Sequence, residues 1–185
     1  LERSKVSEYL KNLGQNERQI LRSLGVKFGR YHVFLHKLIK PEAVSLRTLL
    51  WKNFYQKYFN LKPPTFGLNF LDNTKTNNRN FMLLCGFEKF ENIYVRIDIL
   101  ERLFVQIINS NQEKEKEIKM TSDMLNLLGC SKDNLKKLLK NMNYKVFEKE
   151  KETFFKYNPR KNFKKDNKKT NKESPFGVLK NLNFN

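Results

Sequence analysis

Apolar residues recur at helical spacing from about Glu2 to Leu13, and again beyond Asn16, which reads as a cap, where Ile20, Leu21 and Leu24 share a face. Gly25 and Gly29 bracket a short turn, because glycine reaches the positive φ values that end a helix at no steric cost. Tyr31 to Leu35 reads as a strand, and Pro41 stands where a proline opens a helix. That helix is expected from about Glu42 to Tyr58, with Val44, Leu46, Leu49, Leu50, Trp51 and Phe54 forming one broad apolar face for the core. From Asn60 to Asn78 the pattern gives way to Pro63-Pro64, Gly67 and a polar run, which predicts a long surface loop and the best internal boundary.

The second half is more sharply punctuated. Asn80 to Cys85 predicts a helix stopped by Gly86, and the apolar runs Phe87 to Phe90 and Ile93 to Ile97, parted by Glu91-Asn92, predict a small hairpin. Asp98, with Glu101 three residues on, has the spacing of a capping box for a helix bearing Leu100, Leu103, Phe104, Ile107 and Ile108. The charge run Glu113 to Lys119 reads as a solvated connection. Thr121 or Ser122 caps the next helix, Gly129-Cys130-Ser131 turns the chain, and Ser131 caps a second helix burying Leu135, Leu138, Leu139 and Met142. Tyr144 to Phe147 and Thr153 to Tyr157 then read as strands around a charged turn that lacks the glycine or asparagine usual in a hairpin. Helix, tight turn, helix, strand, strand is the layout of a winged helix.

The stretch from Leu24 to Trp51, LGVKFGRYHVFLHKLIKPEAVSLRTLLW, resembles a segment from the C-terminal region of alphaproteobacterial superfamily 2 ATP-dependent RNA/DNA helicases, relatives of the mitochondrial degradosome RNA helicase. Tyr94 to Leu103, the Leu127-Leu-Gly-Cys-Ser turn with its helix, and the terminal Glu173-Ser-Pro-Phe-Gly-Val-Leu look like the same family. The resemblance covers roughly residues 12 to 147 and 173 to 182; the 60–78 loop and the lysine-rich linker do not align clearly. It implies a parent protein that couples ATP hydrolysis, with Mg²⁺, to unwinding of RNA or DNA. This chain has no G-x-x-x-x-G-K-[ST] phosphate loop and no acidic metal-binding box, so ATP and Mg²⁺ belong to a motor absent from it, and no cofactor or enzymatic activity is expected here. An opening at Leu1 rather than Met is what a segment cut from a longer polypeptide, with its motor upstream, is expected to show.

Charge sharpens the picture. The formal net charge is +18 over 185 residues, and residues 156–172 hold eight Lys or Arg against Asp166 alone. Such a balance points to a polyanionic partner, RNA or DNA before a membrane surface, although a Lys-, Asn-, Phe- and Ile-rich composition also follows from A/T-rich codons. Cys85 and Cys130, each isolated in an apolar context, read as buried reduced thiols and thus as a cytoplasmic protein. No apolar run is long enough to cross a bilayer. His32 and His36 fall on a segment that looks extended and are expected to have a structural or surface role, with no metal site; no Gly-x-Ser-x-Gly or His-Glu-x-x-His arrangement is present.

The candidate chemistry is therefore binding. Lys132, Lys136, Lys137 and Lys140 line up opposite a leucine face, either to neutralise phosphates or as an ordinary solvated face. Arg30, Tyr31, Lys37 and Lys40 make a second cluster, in which Tyr31 stacks on a base or simply belongs to the core. Arg160, Lys161, Lys164, Lys165, Lys168 and Lys169 form a basic linker too polar to bury a core and expected to be disordered. Beyond it Ser174, Pro175, Phe176, Val178 and Leu179 make a short apolar peptide, read as a docking motif or a fraying end. The expectation is an α+β, predominantly helical chain: a helical unit over 1–59, a loop over 60–78, a small winged-helix-like unit over 79–157 and a basic tail over 158–185. Its expected role is accessory nucleic-acid binding of low sequence specificity beside a helicase motor. The alternatives are a module that contacts proteins, the motor or a nuclease, and a free-standing winged-helix DNA-binding protein.

Overall fold

The computed structural model of the chain describes residues 1–56, 60–72, 78–110, 117–149 and 151–158. A 3₁₀ turn at Arg3–Val6 runs into helix α1 (Ser7–Asn12), and α2 follows at Gln15–Ser23. Gly14 rather than Asn16 caps α2, its N–H donating to the Glu17 carboxylate at 2.7 Å. Gly25 ends that helix with φ +91°, but the residues between it and Gly29 are not a turn: Val26–Phe28 is strand β1, paired antiparallel with β2 (Val33–Leu35). A second 3₁₀ turn, His36–Ile39, leads to α3 (Pro41–Tyr55) with proline in its first turn, as expected.

The anticipated apolar face of α3 is divided. Val44 and Thr48 are buried and Trp51 packs beside Phe81 of the next helix, whereas Leu46, Leu49, Leu50 and Phe54 are 56–79% exposed. Periodicity showed that the helix has an apolar stripe; only the width of the neighbour decides how much of it is covered. Strand β3 (Phe70–Asp72) then arises within the expected loop. Helix α4 (Arg79–Leu84), capped by the Asn78 side chain, hairpin β4 (Phe87–Phe90) and β5 (Ile93–Arg96), and helix α5 (Ile97–Ser110) follow. Beyond α5 come β6 (Ile118–Lys119), α6 (Ser122–Leu128), α7 (Lys132–Asn141), β7 (Tyr144–Lys149) and β8 (Glu152–Tyr157), with Thr121 and Ser131 as the side-chain caps. The charge run ends in structure, because Ile118 is buried and pairs with Phe155. The chain is mixed α+β.

Two three-stranded sheets share one topology. β3-β5-β4 and β6-β8-β7 both place the last-made strand in the centre. In each, a left-handed residue joins helix to strand, Gly86 (φ +88°) before Phe87 and Asn143 (φ 65°) before Tyr144. In each, a second one turns the hairpin, Glu91 (φ 50°) and Lys151 (φ 66°). The main core gathers Val95, Leu100, Leu103, Leu128, Leu135 and Phe155, all fully buried, while a smaller cluster unites Val44, Phe81, Met82 and Cys85. Burial pushes the Cys85 thiol up to about 12, and Cys130, only half-buried, to about 11, so neither is a thiolate near neutrality.

Lys151 carries an avoidable strain. It closes a two-residue connection between the paired Lys149 and Glu152 in a backbone region that costs a residue with a Cβ about 1–2 kcal/mol. That exceeds the extra chain entropy glycine would lose, about 0.5–1 kcal/mol. Lys151→Gly is therefore expected to raise stability by up to about 1.5 kcal/mol, read as a higher urea midpoint at unchanged slope; a lower midpoint would contradict the account.

Candidate nucleic-acid interface

Helix α7 separates its faces cleanly. Leu135, Leu138 and Leu139 are fully buried, and Lys132, Lys137 and Lys140 are exposed on the other side. Lys136 does not complete the row: its ammonium donates to Glu148 of β7 at 2.7 Å, and only 25% of the side chain is accessible. The hydrogen bond to Glu148 raises the Lys136 pKa, and Lys136 lowers that of Glu148, with Lys132 adding a weaker pull. Three lysines remain presented to solvent, without the fourth.

The cluster around the sequence's most distinctive turn is also redistributed. Arg30 lies with its guanidinium 5.4 Å from the centre of the Phe104 ring, and Tyr31 meets the same ring edge-on at 5.5 Å. Tyr31 is half-buried against the main core, so its body is structural, and burial raises its pKa. Lys37 and Lys40 are exposed on the 3₁₀ turn and at the start of α3, and line neither cleft described below. Residues 159–185, and with them Arg160 to Lys169 and the Ser174 to Leu179 peptide, lie outside the described residues.

What holds the turn in place is a carboxylate from far along the chain. Glu101 of α5 accepts the backbone N–H groups of Arg30 at 2.5 Å, Tyr31 at 2.9 Å and His32 at 2.9 Å. The anticipated capping box is thus not formed: Glu101 turns away from its own helix start, and Asp98 binds Arg96 through two bonds of 2.7 and 3.0 Å and the N–H of Ile99 at 3.0 Å. Three converging donors outcompete a single cap N–H for a charged acceptor. Gly29 does not have a positive φ; a Cβ there would stand 2.2 Å from the Glu101 carboxyl carbon, so its role is close approach. Beside this contact, His32 shares a 2.7 Å hydrogen bond between Nε2 and Glu88, and Glu88 receives Arg79 at 2.9 Å. His32 Nδ1 is 3.7 Å from Glu101, an ion-pair distance rather than a hydrogen bond. His36 stands apart, half-exposed and 4.0 Å from Asp98. Among the described residues no group of three His, Cys, Asp or Glu side chains is placed to hold a metal ion, and the network reads as a buried structural latch.

Two clefts meet over this latch. One, of about 1110 Å³, opens between the N-terminal hairpin and α5 and is walled by Arg22, Lys27, Phe28, Arg30, Arg102 and Phe104. The other, of about 530 Å³, lies between Tyr31, Phe104, Tyr144, Lys156 and Tyr157. Arg30, Phe104 and Ile108 belong to both, so the two clefts adjoin along α5. Burial pushes the Tyr144 hydroxyl up to about 12, while Tyr157, stacked edge-on at 5.3 Å from Tyr144, is 52% exposed. Arg22, Lys27 and Arg102 are lone charges in the sequence, Tyr157 is there only the end of an expected strand and Lys156 the first cation of the basic run 156–172; the groove exists only once β1, α5 and β8 come together.

No described helix is long and apolar enough to cross a membrane. Compared with protein-family models, with curated proteins and with solved structures, the chain matches none.

Proposed function

We propose that this chain is a nucleic-acid-binding accessory region of a superfamily 2 ATP-dependent RNA/DNA helicase, holding RNA or DNA with little sequence preference next to a motor it does not contain. The observation that carries the reading is α7, whose exposed Lys132, Lys137 and Lys140 stand opposite a fully buried leucine face. Its setting supports it. The order α5, β6, α6, α7, β7, β8 supports the winged-helix reading, in which the second helix of the helix-turn-helix pair is the one offered to nucleic acid. A formal net charge of +18 supplies the long-range attraction. The sequence carries no G-x-x-x-x-G-K-[ST] phosphate loop, and in this reading ATP and Mg²⁺ are assigned to the motor domains.

Replacing Lys132, Lys137 and Lys140 together with Gln is expected to weaken binding by similar factors on unrelated sequences, because phosphate contacts carry no base information. On duplex, the slope of log K against log salt should fall by about 0.9 for each lost contact. Stability should stay within about 0.5 kcal/mol, the usual range for surface changes. Salt titrations of the folded variant on two unrelated duplexes check all three; an unchanged slope removes α7 from the interface.

A second reading, in which the region braces the motor or meets another protein such as a nuclease, is favoured by the uncovered face of α3. Leu46, Leu49, Leu50 and Phe54 expose an apolar stripe on one helix, and such a stripe is more typical of a surface covered by a partner. A Leu49→Ser, Phe54→Ser variant that retains nucleic-acid affinity but loses association with the motor domains decides for bracing through α3.

A further inference from the structure

We propose that the groove along α5 is a track for single-stranded nucleic acid, in which phosphates lie on Arg22, Lys27, Arg30 and Arg102 and an unpaired base stacks on Tyr157 beside Lys156. This rests on the nucleic-acid reading above and adds to it a site separate from the α7 lysines and a preference for strand over duplex.

The electrostatics of the groove are one-sided. Six cations line its two parts, Arg3, Arg22, Lys27, Arg30, Arg102 and Lys156, against two carboxylates, Asp98 and Glu101. Both carboxylates are buried, at 5% and 8% exposure, and both are already used, Asp98 by Arg96 and Glu101 by three backbone N–H groups. The negative charge is therefore neutralised inside the protein while the positive charge faces outward. Arg3 is partly committed, donating to the Gly29 carbonyl at 2.6 Å, but Arg102 and Lys156 are exposed.

The aromatic side chains select what such a cation row would hold. Tyr157 presents a half-exposed ring in a cleft of about 530 Å³, which lies within the range of small-ligand sites, about 300–1,000 Å³, and so suffices for one nucleotide. The Tyr144 and Asn143 side chains that also line it offer polar groups to a base edge. A base reaches such a ring only when unpaired, since in a duplex its faces are occupied by its neighbours. The Arg30 guanidinium over Phe104 joins the two clefts, where the backbone would pass from one to the other. Asp98 to Ile108 of α5 span about 15 Å at 1.5 Å per residue.

The test uses the 185-residue chain and three 12-mer probes: oligo-U, oligo-dT and a blunt RNA duplex, with one 2-aminopurine at the centre of each single strand. Arg30→Gln with Arg102→Gln should weaken both single strands about tenfold or more and lower their salt slope by about 1.4, two contacts at about 0.7 each. Tyr157→Ala should abolish the stacking-dependent quenching of 2-aminopurine, while Tyr157→Phe keeps it. The duplex should change less than twofold in every groove variant. Retained single-strand affinity in the groove variants, with loss on changing the α7 lysines, would overturn the track and leave the nucleic-acid reading standing. Equal loss on strand and duplex would overturn the single-strand preference. A wild-type chain that binds none of the three probes would overturn both. Melting curves of Tyr157→Ala and Tyr157→Phe separate lost stacking from lost fold.

Discussion

Glu101→Ala is expected to destabilise the chain by about 3 kcal/mol or more, at the upper end of the ordinary range for a single substitution. The carboxylate accepts the backbone N–H groups of Arg30, Tyr31 and His32, the last of them buried and the first two partly so. A buried donor left without an acceptor costs about 1–3 kcal/mol, a partly buried one less. At about 2–4 °C per kcal/mol for a chain of this size, the melting temperature should fall by roughly 6–12 °C. Glu101→Gln keeps one oxygen but turns an NH₂ toward the remaining donors, so its loss should be intermediate. Gly29→Ala reaches the same outcome from the other side, because its methyl would occupy the place of the Glu101 carboxyl carbon, 2.2 Å away. Thermal and urea unfolding of the three variants measure this; a loss below 1 kcal/mol for Glu101→Ala would show that water or a rearranged turn satisfies the donors.

Stability should also fall as the solution becomes alkaline. Burial alone would lower the His32 pKa, but its interactions with the Glu101 and Glu88 carboxylates outweigh burial and hold it above its ordinary 6.5. The protonated ring therefore contributes stability that is complete below 6.5 and is lost as pH rises through the folded value. Glu88 and Glu101 behave in the opposite sense. Burial would raise them, yet His32 with Arg79, and His32 with the three backbone donors, hold them below 4.5, so their contribution is lost as pH falls through their folded values. The most stable interval should lie between about 4.5 and 6.5. Glu88→Gln leaves Arg79 and His32 short of a buried partner and should cost about 3–5 kcal/mol. It should also bring the His32 titration, followed by NMR of the imidazole, down toward neutral values. His32→Gln should remove the alkaline decline; a decline unchanged in that variant would assign it to other groups.

The elements that could be read along the sequence are those whose cause is local. Asn78 was passed over as a cap in favour of a loop end, but Pro41, Gly86, Thr121 and Ser131 act on their own helices or turns within three residues, and each does what its neighbours imply. The leucine face of α7 was equally legible, since period and burial coincide there. Strand β3 was not, because three residues after a Pro- and Gly-containing stretch carry no period of their own and become a strand only by pairing with β5. Glu101 illustrates the deeper limit. At three residues beyond Asp98 it has the spacing of a cap, and nothing nearby reveals that three donors will arrive from 69 to 71 residues earlier. Arg30 and Tyr31 were visible as a basic-aromatic pair, but their companions in the groove, Arg102, Lys156 and Tyr157, come from α5 and β8 and share no sequence neighbourhood with them.

The distance between the Gly29–His32 turn and Glu101 also sets a schedule for synthesis. A ribosome adds about 5–20 residues each second, so the turn emerges on the order of 4 to 14 seconds before its acceptor has been made. During that interval the three backbone donors lack their carboxylate, while the Val33-Phe34-Leu35 strand has β1 and the N-terminal Leu1, whose carbonyl accepts the Val33 N–H at 2.9 Å, as its early partners. The central position of β8 delays the second sheet further, because β6 awaits the last strand of its sheet. The nascent chain therefore offers the Gly29–His32 turn to chaperones or proteases well before the contact that will close it exists.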